Sequence, residues 1–301
     1  MNTENMSLKE IISNDFKDLF EKNDSNTLKN EDFTRVWTDV VTMPMLRFEE
    51  VIRKSQHTFK GYDLDQAVIY GLIMRIYKFL AYSRRITCKR LNVRTTAAII
   101  SRNIMESNVN LRYLIKYPNK LDDYRKSSLK SEKEFEELIQ NNRSKGTKEE
   151  NDSFAEYEDG LLKYISEAYL SADMSQGKKI PKLEDMRKKM NNVGLSNLYA
   201  SYSTDSHSVH GDWIDTEKNF LKKENGRYYP NFDDYEVDIR QLNPILEVCY
   251  ESLIYFLDNY PGHGITDVTV ENLKEEIQII MDFDHWHHNF LNGRSLIDKK
   301  F

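Results

Sequence analysis

An arginine and a glutamate four residues apart begin a polar row in the first half of the chain. Arg102 and Glu106 have the spacing that places two side chains on one helix face, and the row continues through Asn110 and Tyr113. The planar guanidinium of Arg102 can hold a phosphate with two parallel hydrogen bonds, which a lysine ammonium cannot do. The carboxylate of Glu106 can orient a histidine. These residue types therefore predict a face that binds an anion.

A second polar row lies about a hundred residues further along the chain and contributes two histidines. Its members follow one another at intervals of three and four, with Tyr202 and Asp205 at the edge of the row. The members are Tyr199, Ser203, Ser206, His207 and His210. We expect this row to run along the inward face of its helix and to meet the first row there.

Together the two rows have the groups needed to cleave a phosphodiester without a metal ion. A histidine would take the proton of a ribose 2′-hydroxyl, and a second group would protonate the leaving oxygen. Arg102 would bind the phosphate and offset the charge that develops on it, while Glu106 would orient the catalytic groups. The candidate catalytic residues are Arg102, Glu106, His207 and His210.

Four further residues are candidates for holding the substrate. Tyr199 and Ser203 belong to the second row, whereas Arg90 and Arg94 lie in or at the end of a basic segment. That segment, residues 45–94, carries eleven Lys and Arg against four Asp and Glu and leads directly into the Arg102 helix. Such a stretch can contact phosphates, so RNA is a possible partner. Alternatively, the basic segment pairs with the acidic second half of the chain.

The same polar rows also fit a structural role. Arg, Glu, Tyr, Ser and His on facing helices can form a buried hydrogen-bonded network that fixes how the helices align. The histidine spacing has no H-E-x-x-H or cysteine pair beside it, so we expect no metal site. The motifs G-x-x-x-x-G-K-[ST], G-x-G-x-x-G and G-x-S-x-G are absent from the sequence, and we expect no cofactor. The His-rich stretch 284–288 is expected to be a surface helix end.

The composition is that of a globular protein. Of the 301 residues, 39% are hydrophobic and 31% are charged, which excludes collagen-like and wholly disordered chains. No run of eighteen apolar residues occurs, and the N-terminus lacks the pattern of a signal peptide. Cys88 and Cys249 are too few for a disulfide framework. We therefore expect a cytoplasmic protein with no membrane partner.

Hydrophobic residues recur with helical periodicity almost throughout, which predicts an all-α fold. Helices are predicted over 6–20, 33–59 with a bend at Pro44, 63–89, 95–117, 151–172, 183–192, 197–210, 233–259 and 268–291. Asn225-Gly226 between two apolar pairs predicts a hairpin. The sequence thus predicts a single helical bundle of about eight to ten helices, with at most one short hairpin near residues 220–230.

The predicted organisation has three parts. Residues 1–30 form an N-terminal helix and linker, residues 31–292 form the helical domain, and residues 293–301 form a tail. Within the domain, residues 119–150 hold few large apolar side chains and are predicted to be a solvated helix and a mobile loop. In the core, we expect residues 63–117 to pack against 151–172, 195–211 and 233–259.

The two polar rows resemble a known pattern. Segments 101–114 (SRNIMESNVNLRYL) and 199–211 (YASYSTDSHSVHG) resemble a bacterial helical domain family of unknown function. Its R-x-x-x-E helix is followed about a hundred residues later by a Y-x-x-x-S-x-x-x-H helix, and the resemblance covers roughly residues 60–260. The arrangement is also similar to the HEPN superfamily of helical ribonucleases, which are common in toxins and antiviral defence. In HEPN proteins a histidine follows the arginine on the same helix, whereas residues 107–109 here are Ser, Asn and Val.

Two functional hypotheses follow. The first is an intracellular toxin or phage-defence effector that cleaves RNA by metal-independent acid–base chemistry. The second is a non-catalytic helical module that binds a small anionic ligand or a protein partner, with a homodimer as one form of that partnership. They differ in one structural respect: catalysis requires Arg102 and His207 to open into one cleft, whereas a structural network buries both with their donors paired.

Overall fold

Two long apolar helices form the centre of the fold. They are α4 (Leu64–Cys88) and α5 (Arg94–Lys116), and each has a fully buried row of aliphatic side chains. The rows recur at helical spacing, so each helix buries one side against its neighbours. Helix α5 ends just before Tyr117 and Pro118, because a residue that precedes proline is disfavoured in the helical conformation. Both helices were predicted from the sequence.

The computed structural model of the chain describes residues 29–88, 94–175, 178–210, 213–231, 242–266 and 268–292. Its other α-helices are α1 (Asn30–Val40), α2 (Thr42–Lys54), α3 (Gln56–Lys60), α6 (Leu121–Ser127), α7 (Lys130–Lys145), α8 (Lys148–Ser171), α9 (Met186–Asn192), α10 (Tyr199–His210), α11 (Trp213–Phe220), α12 (Asn243–Asn259) and α13 (Val270–Leu291). Short 3₁₀ helices lie at Pro118–Lys120 and Ser196–Leu198. The predicted helix over 6–20 and the predicted tail lie outside the described residues.

The contacts divide the chain into two compact units. Unit 1 comprises Met1–Lys116 and Lys189–Phe301, and unit 2 comprises Tyr117–Lys188. Within unit 1, α5 packs against α4, α10 and α12, while α4 also packs against α2 and α12 against α13. These contacts confirm the predicted core apart from residues 151–172. That stretch is helix α8, which belongs to unit 2 and packs against α7.

Unit 2 contains the polar segment that was predicted as an excursion. Most of residues 119–150 are helical, in α6 and α7. Intrahelical ion pairs such as Arg125–Asp122 (3.0 Å) and Lys126–Asp122 (2.6 Å) accompany these polar helices. A small core of apolar side chains anchors them to α8. Its buried members include Leu129, Ile139, Ile165 and Tyr169.

The predicted helix over 33–59 is three shorter helices, α1 to α3. The first break falls at Val41, three residues before Pro44. Pro44 lies in the first turn of α2, where the backbone N–H that proline lacks has no partner within a helix in any case. The second break falls at Ser55, whose hydroxyl accepts a hydrogen bond from the His57 N–H (3.3 Å) and so begins α3.

One antiparallel hairpin interrupts the helices, as predicted. Strand β1 (Leu221–Glu224) pairs with β2 (Arg227–Pro230), with Lys222 opposite Tyr229. Asn225 and Gly226 between the strands have φ values of 49° and 76°, the left-handed conformations that a two-residue hairpin turn requires. The described residues therefore confirm the all-α class with one small hairpin. No helix among them is both long and apolar enough to cross a bilayer.

A partly buried ion pair ties α2 to α13 within unit 1. The Arg47 guanidinium donates to both carboxylate oxygens of Glu276 at 2.6 to 3.2 Å, and the buried Tyr250 hydroxyl donates to the same carboxylate at 2.7 Å. Only 12% of the Glu276 side chain is exposed. A carboxylate with so little access to water requires these donors to offset its desolvation.

We expect Glu276→Gln to lower the free energy of unfolding by about 1–3 kcal/mol, because it removes the less exposed of the two carboxylates that compensate Arg47 and leaves only Glu50. Urea denaturation at pH 7 measures this loss. The matched control is Glu49→Gln, since the partner of Glu49 is Arg53, whose side chain is 75% exposed. A surface pair of that kind contributes about 0.5 kcal/mol. Equal losses in the two variants would contradict the structural role of the Glu276 carboxylate.

Candidate functional site

Arg102, Glu106 and Tyr202 form a hydrogen-bonded triangle between α5 and α10. Arg102 Nε donates to Glu106 Oε1 at 3.0 Å, and Arg102 Nη2 donates to the Tyr202 hydroxyl at 2.8 Å. The Tyr202 hydroxyl in turn donates to the same Glu106 oxygen at 2.8 Å. The guanidinium carbon also lies 4.4 Å from the centre of the Tyr202 ring. We call these three residues the polar triangle.

The surroundings of Tyr202 keep its hydroxyl protonated. Burial of Tyr202, together with the adjacent Glu106 carboxylate, raises the pKa of its hydroxyl well above the usual value, although the Arg102 charge opposes this shift. The phenol is therefore a hydrogen-bond donor throughout the physiological range. Glu106 is the most accessible of the three, with 30% of its side chain exposed against 15% for Arg102. The triangle thus meets solvent at its carboxylate side.

One nitrogen of Arg102 is left without a partner. Its Nη1 atom is buried and makes no hydrogen bond among the residues that the structure describes. An unmet buried donor costs about 1–3 kcal/mol, more for a charged group. Such a group in a folded protein is commonly a place where an ion or a ligand atom binds. The triangle therefore leaves one buried, charged donor unpaired among the described residues.

A second carboxylate lies beside the triangle. Asp205 is 6% exposed, and its Oδ2 accepts a hydrogen bond from the Ser101 hydroxyl at 2.7 Å. Burial raises the pKa of Asp205 to about 6, although the Ser101 hydrogen bond and the Arg102 charge oppose the shift. This carboxyl group therefore exchanges its proton close to neutral pH, as acid–base catalysts do.

Helix α10 is turned relative to the predicted orientation. Its buried residues are Tyr202 and Asp205, which the sequence placed at the edge of the inward row, whereas Ser203 and His210 are exposed. Consecutive residues of an α-helix are about 100° apart, so the error corresponds to one residue. The prediction that the histidine row faces inward was wrong. Apolar side chains in α10 are few and spread around the helix, so their pattern did not define a buried face.

Two of the four predicted catalytic residues are joined directly. Arg102 and Glu106 meet as predicted, and their hydrogen-bond partner from α10 is Tyr202. His207 is half-buried and His210 is exposed. Among the predicted substrate-binding residues, Tyr199 lies next to the triangle, with its ring 6.0 Å from that of Tyr202.

The predicted basic contacts are less well defined. Arg90 lies outside the described residues. Arg94 is the first residue of α5, but its side chain is not among those that the structure describes. Arg84 of the same basic segment is half-buried and donates through Nε to the Thr42 hydroxyl at 2.9 Å. That side chain is engaged within unit 1. Arg85 is exposed.

The rest of the α5 polar row is engaged within unit 1. The Asn110 amide oxygen accepts a hydrogen bond from the buried Lys189 at 2.8 Å, and the Lys189 ammonium lies 5.6 Å from the Tyr113 ring. Arg112 donates to the Val193 carbonyl at 2.9 Å. These contacts join α5 to the end of α9 and the residues after it, which is the structural role that the sequence left open.

The His-rich end of α13 is at the surface only in part, since His285 and His288 are exposed as expected but His287 is not. His287 is 1% exposed, and its ring centre lies 4.9 Å from that of Phe33. Asp284 accepts a hydrogen bond from the Asn243 amide at 2.7 Å. The expectation of an exposed cluster was wrong for His287, because this imidazole packs among aromatic rings. Throughout the described ranges, no three His, Cys, Asp or Glu side chains group as metal ligands would.

The fold and the polar triangle define an all-α protein in which a buried Arg–Glu–Tyr cluster joins two helices. The chain belongs to a family of unknown function (DUF5677), whose model matches residues 66–228. The matched region extends from α4 into β2 and includes α5, α10 and the whole of unit 2. No curated protein and no solved structure matches the chain.

We expect Asp205→Asn to raise the free energy of unfolding at pH 7 by about 1–3 kcal/mol. The pKa of Asp205 is higher in the folded state than its ordinary value of 3.8, so the folded protein binds this proton more tightly. The stability that Asp205 contributes therefore falls as the pH rises from about 4 to about 7, and the neutral amide removes that loss. Denaturant unfolding at several pH values measures the difference between the two proteins, which should vanish near pH 4.

Two controls accompany this measurement. Asp159→Asn changes a carboxylate with 69% of its side chain exposed and should show no such pH-dependent difference. Ser101→Ala removes the hydrogen bond that favours the ionised form, so the pH dependence should move to higher pH. A wild-type protein that gains stability relative to Asp205→Asn between pH 4 and pH 7 would contradict the raised pKa.

Proposed function

We propose that unit 1 binds a small anionic ligand at Arg102 and that the chain acts as a binding module. The observation that carries this proposal is the buried Nη1 atom of Arg102, which has no partner among the described residues. An anionic oxygen would satisfy that donor and would sit beside a guanidinium whose other contacts already fix its orientation. The ligand needs to be small, since only 15% of the Arg102 side chain is exposed.

A second guanidinium adds positive charge along the same stretch of α5. Arg75 on α4 donates through Nη2 to the Asn103 amide oxygen at 2.6 Å, and Asn103 is the residue next to Arg102. The Arg75 side chain is exposed and its guanidinium carbon lies 5.2 Å from the Phe79 ring centre. Because the Glu106 carboxylate is already bound by Arg102 and Tyr202, much of its negative charge is offset. Asp205 adds a negative charge beside Arg102 when it is ionised, so we expect anion binding to strengthen as Asp205 is protonated at about pH 6 and below.

Binding without cleavage is favoured over catalysis by the positions of the histidines. Arg102 and Glu106 are hydrogen-bonded to each other and to Tyr202. His210 lies on an exposed side of α10. General acid–base catalysis needs its proton-transfer group within hydrogen-bond reach of the reacting atoms. The triangle itself has no imidazole.

We expect inorganic phosphate to raise the unfolding temperature of the wild-type protein and not that of Arg102→Gln. A ligand at a hundred times its dissociation constant stabilises a protein by about 2.7 kcal/mol. The measurement is thermal unfolding at constant ionic strength, with chloride replacing phosphate in the reference samples. The matched control is Arg85→Gln, which removes an exposed arginine of α4 and should keep the full response. The same phosphate response in Arg102→Gln would refute the proposed site.

A second candidate function is a cytoplasmic ribonuclease of the toxin or phage-defence kind. The observation that favours it is Asp205, whose pKa of about 6 lets it carry a proton near neutral pH within the field of Arg102. In this proposal Arg102 binds phosphate, Glu106 orients, and His207 and His210 move protons. His207 is half-buried.

The ribonuclease proposal predicts that purified protein degrades total RNA and continues to do so in a chelator. Arg102→Ala and His207→Ala should each slow degradation at least a hundredfold, since an acid–base group contributes about 10²–10⁴ in rate. His288→Ala, which changes an exposed histidine of α13, is the control and should retain full activity. Both variants and the parent would also be expressed in cells to compare toxicity. RNA left intact by the parent protein, with equal growth in every culture, would end this proposal.

A further inference from the structure

An apolar groove runs between the two long helices of unit 2. It has a volume of about 630 Å³ and lies between α7 and α8. Phe135 and Leu138 line it from α7, and Phe154, Tyr157 and Leu161 line it from α8. The first four of these side chains are all more than half exposed. A contiguous apolar patch of this kind on a helix pair marks a surface that another molecule covers.

The groove lies over the core that holds the two helices together and shares Ile139 with it. The core of unit 2 uses Leu129, Ile139, Ile165 and Tyr169, which are buried. A row on α7 comprises the exposed positions 135, 138, 142 and 145. A row on α8 comprises the exposed positions 154, 157 and 164 together with Leu161, which is half-buried and packs against the core. Both rows alternate steps of three and four, the spacing with which helices pack against further helices in a four-helix bundle. Unit 2 thus presents two helices of such a bundle.

We propose that the groove is the interface of a homodimer in which a second copy of unit 2 supplies the other two helices. A twofold axis that crosses the helix pair places α7 antiparallel to α7 of the second copy, and α8 antiparallel to α8. On α8, Phe154 then faces Tyr164 of the second copy and Tyr157 faces its Leu161. These pairs are apolar on both sides, so the α8 row is complementary to itself.

The α7 row fits the same axis by charge. Antiparallel pairing places Phe135 and its neighbour Glu134 opposite Lys145 of the second copy. The aliphatic part of Lys145 can cover the Phe135 ring while its ammonium meets the Glu134 carboxylate. Lys145 is exposed in one chain, and the Glu134 side chain is 66% exposed in a long 3.8 Å pair with Lys130. A contact of that kind is easily exchanged.

The exposed area is sufficient for a stable dimer. An aromatic side chain buries about 150–250 Å² when fully covered. The rows expose four aromatic rings, Phe135, Phe154, Tyr157 and Tyr164, by 56–70%, together with Leu138. They therefore offer on the order of 600 Å² per copy, or more than about 1,000 Å² for the pair, which is the size of a specific interface.

The net charge of α7 and α8 makes it possible to distinguish a second copy from a basic partner by the effect of salt on binding. Residues 130–171 carry six Lys and Arg against eleven Asp and Glu, so two copies repel one another at long range. Added salt screens that repulsion, and the dimer should become tighter as the ionic strength rises. A basic helix in the same groove would instead bind less tightly in salt.

Sedimentation velocity of the full chain over a range of concentrations tests the proposal. We expect a dimer whose dissociation constant rises at least tenfold in Tyr157→Glu, because the variant places a charge in the groove. The matched control is Leu170→Glu, on the opposite side of the same helix, where the leucine is 76% exposed. This control should dimerise like the wild type. Circular dichroism verifies that both variants are folded.

A charge exchange tests the register of the dimer. Glu134→Lys alone and Lys145→Glu alone each place like charges together across the axis and should weaken the dimer. The double variant restores opposite charges and should recover most of the lost affinity. Three outcomes would overturn the proposal: a monomer at every concentration, a dimer that Tyr157→Glu leaves unchanged, or single charge variants whose losses simply add in the double variant.

Discussion

The hydrogen bonds that Arg102 and Glu106 make with Tyr202 fix the alignment of α10 on α5, the central helix of unit 1. Helix α5 lies at the centre of that unit, so any polar group on its packed faces needs a partner from a neighbouring helix. Tyr202 meets this need from α10, Lys189 from the end of α9 and Glu251 from α12. Each of these hydrogen bonds can form only when the helix that supplies the partner has one particular rotation and one particular axial position relative to α5. The polar row of α5 therefore fixes the alignment of its neighbours, which apolar packing alone leaves less defined.

Burial and neighbouring charges have opposed effects on the pKa values of the ionisable groups around Arg102. Arg102 favours the ionised form of Asp205, whereas burial disfavours it more strongly, so the carboxyl group titrates near neutral pH. Glu106 and burial both favour the protonated form of Tyr202. The region thus combines a permanent cation, a fixed phenol donor and one carboxyl group that changes state. Ligand binding and acid–base chemistry draw on these same groups, and the position of the imidazoles is what separates the two proposals.

The sequence was a good guide wherever one physical signal dominated. Helices α4 and α5 follow from long apolar rows and from Pro118, the hairpin follows from Asn225-Gly226, and the Arg102–Glu106 contact follows from a spacing of four. It was a poor guide to α10, because Tyr202 and Asp205 are buried by partners on another helix, Arg102 and Ser101. Local sequence does not contain that information. The imidazole of His287 is a similar case, since its aromatic surroundings include Phe33, more than 250 residues away along the chain.

The division into units has a consequence for how the protein is made. Unit 1 consists of two separate stretches of chain, and unit 2 is inserted between Lys116 and Lys189. When α5 leaves the ribosome, the helices that cover its polar row have not yet been synthesised. Unit 2 is continuous in sequence, and its local contacts form quickly. It can therefore fold before α10 and α12 have been synthesised and are able to pack against α5. A chaperone that covers α5 during that interval would protect the nascent chain from aggregation.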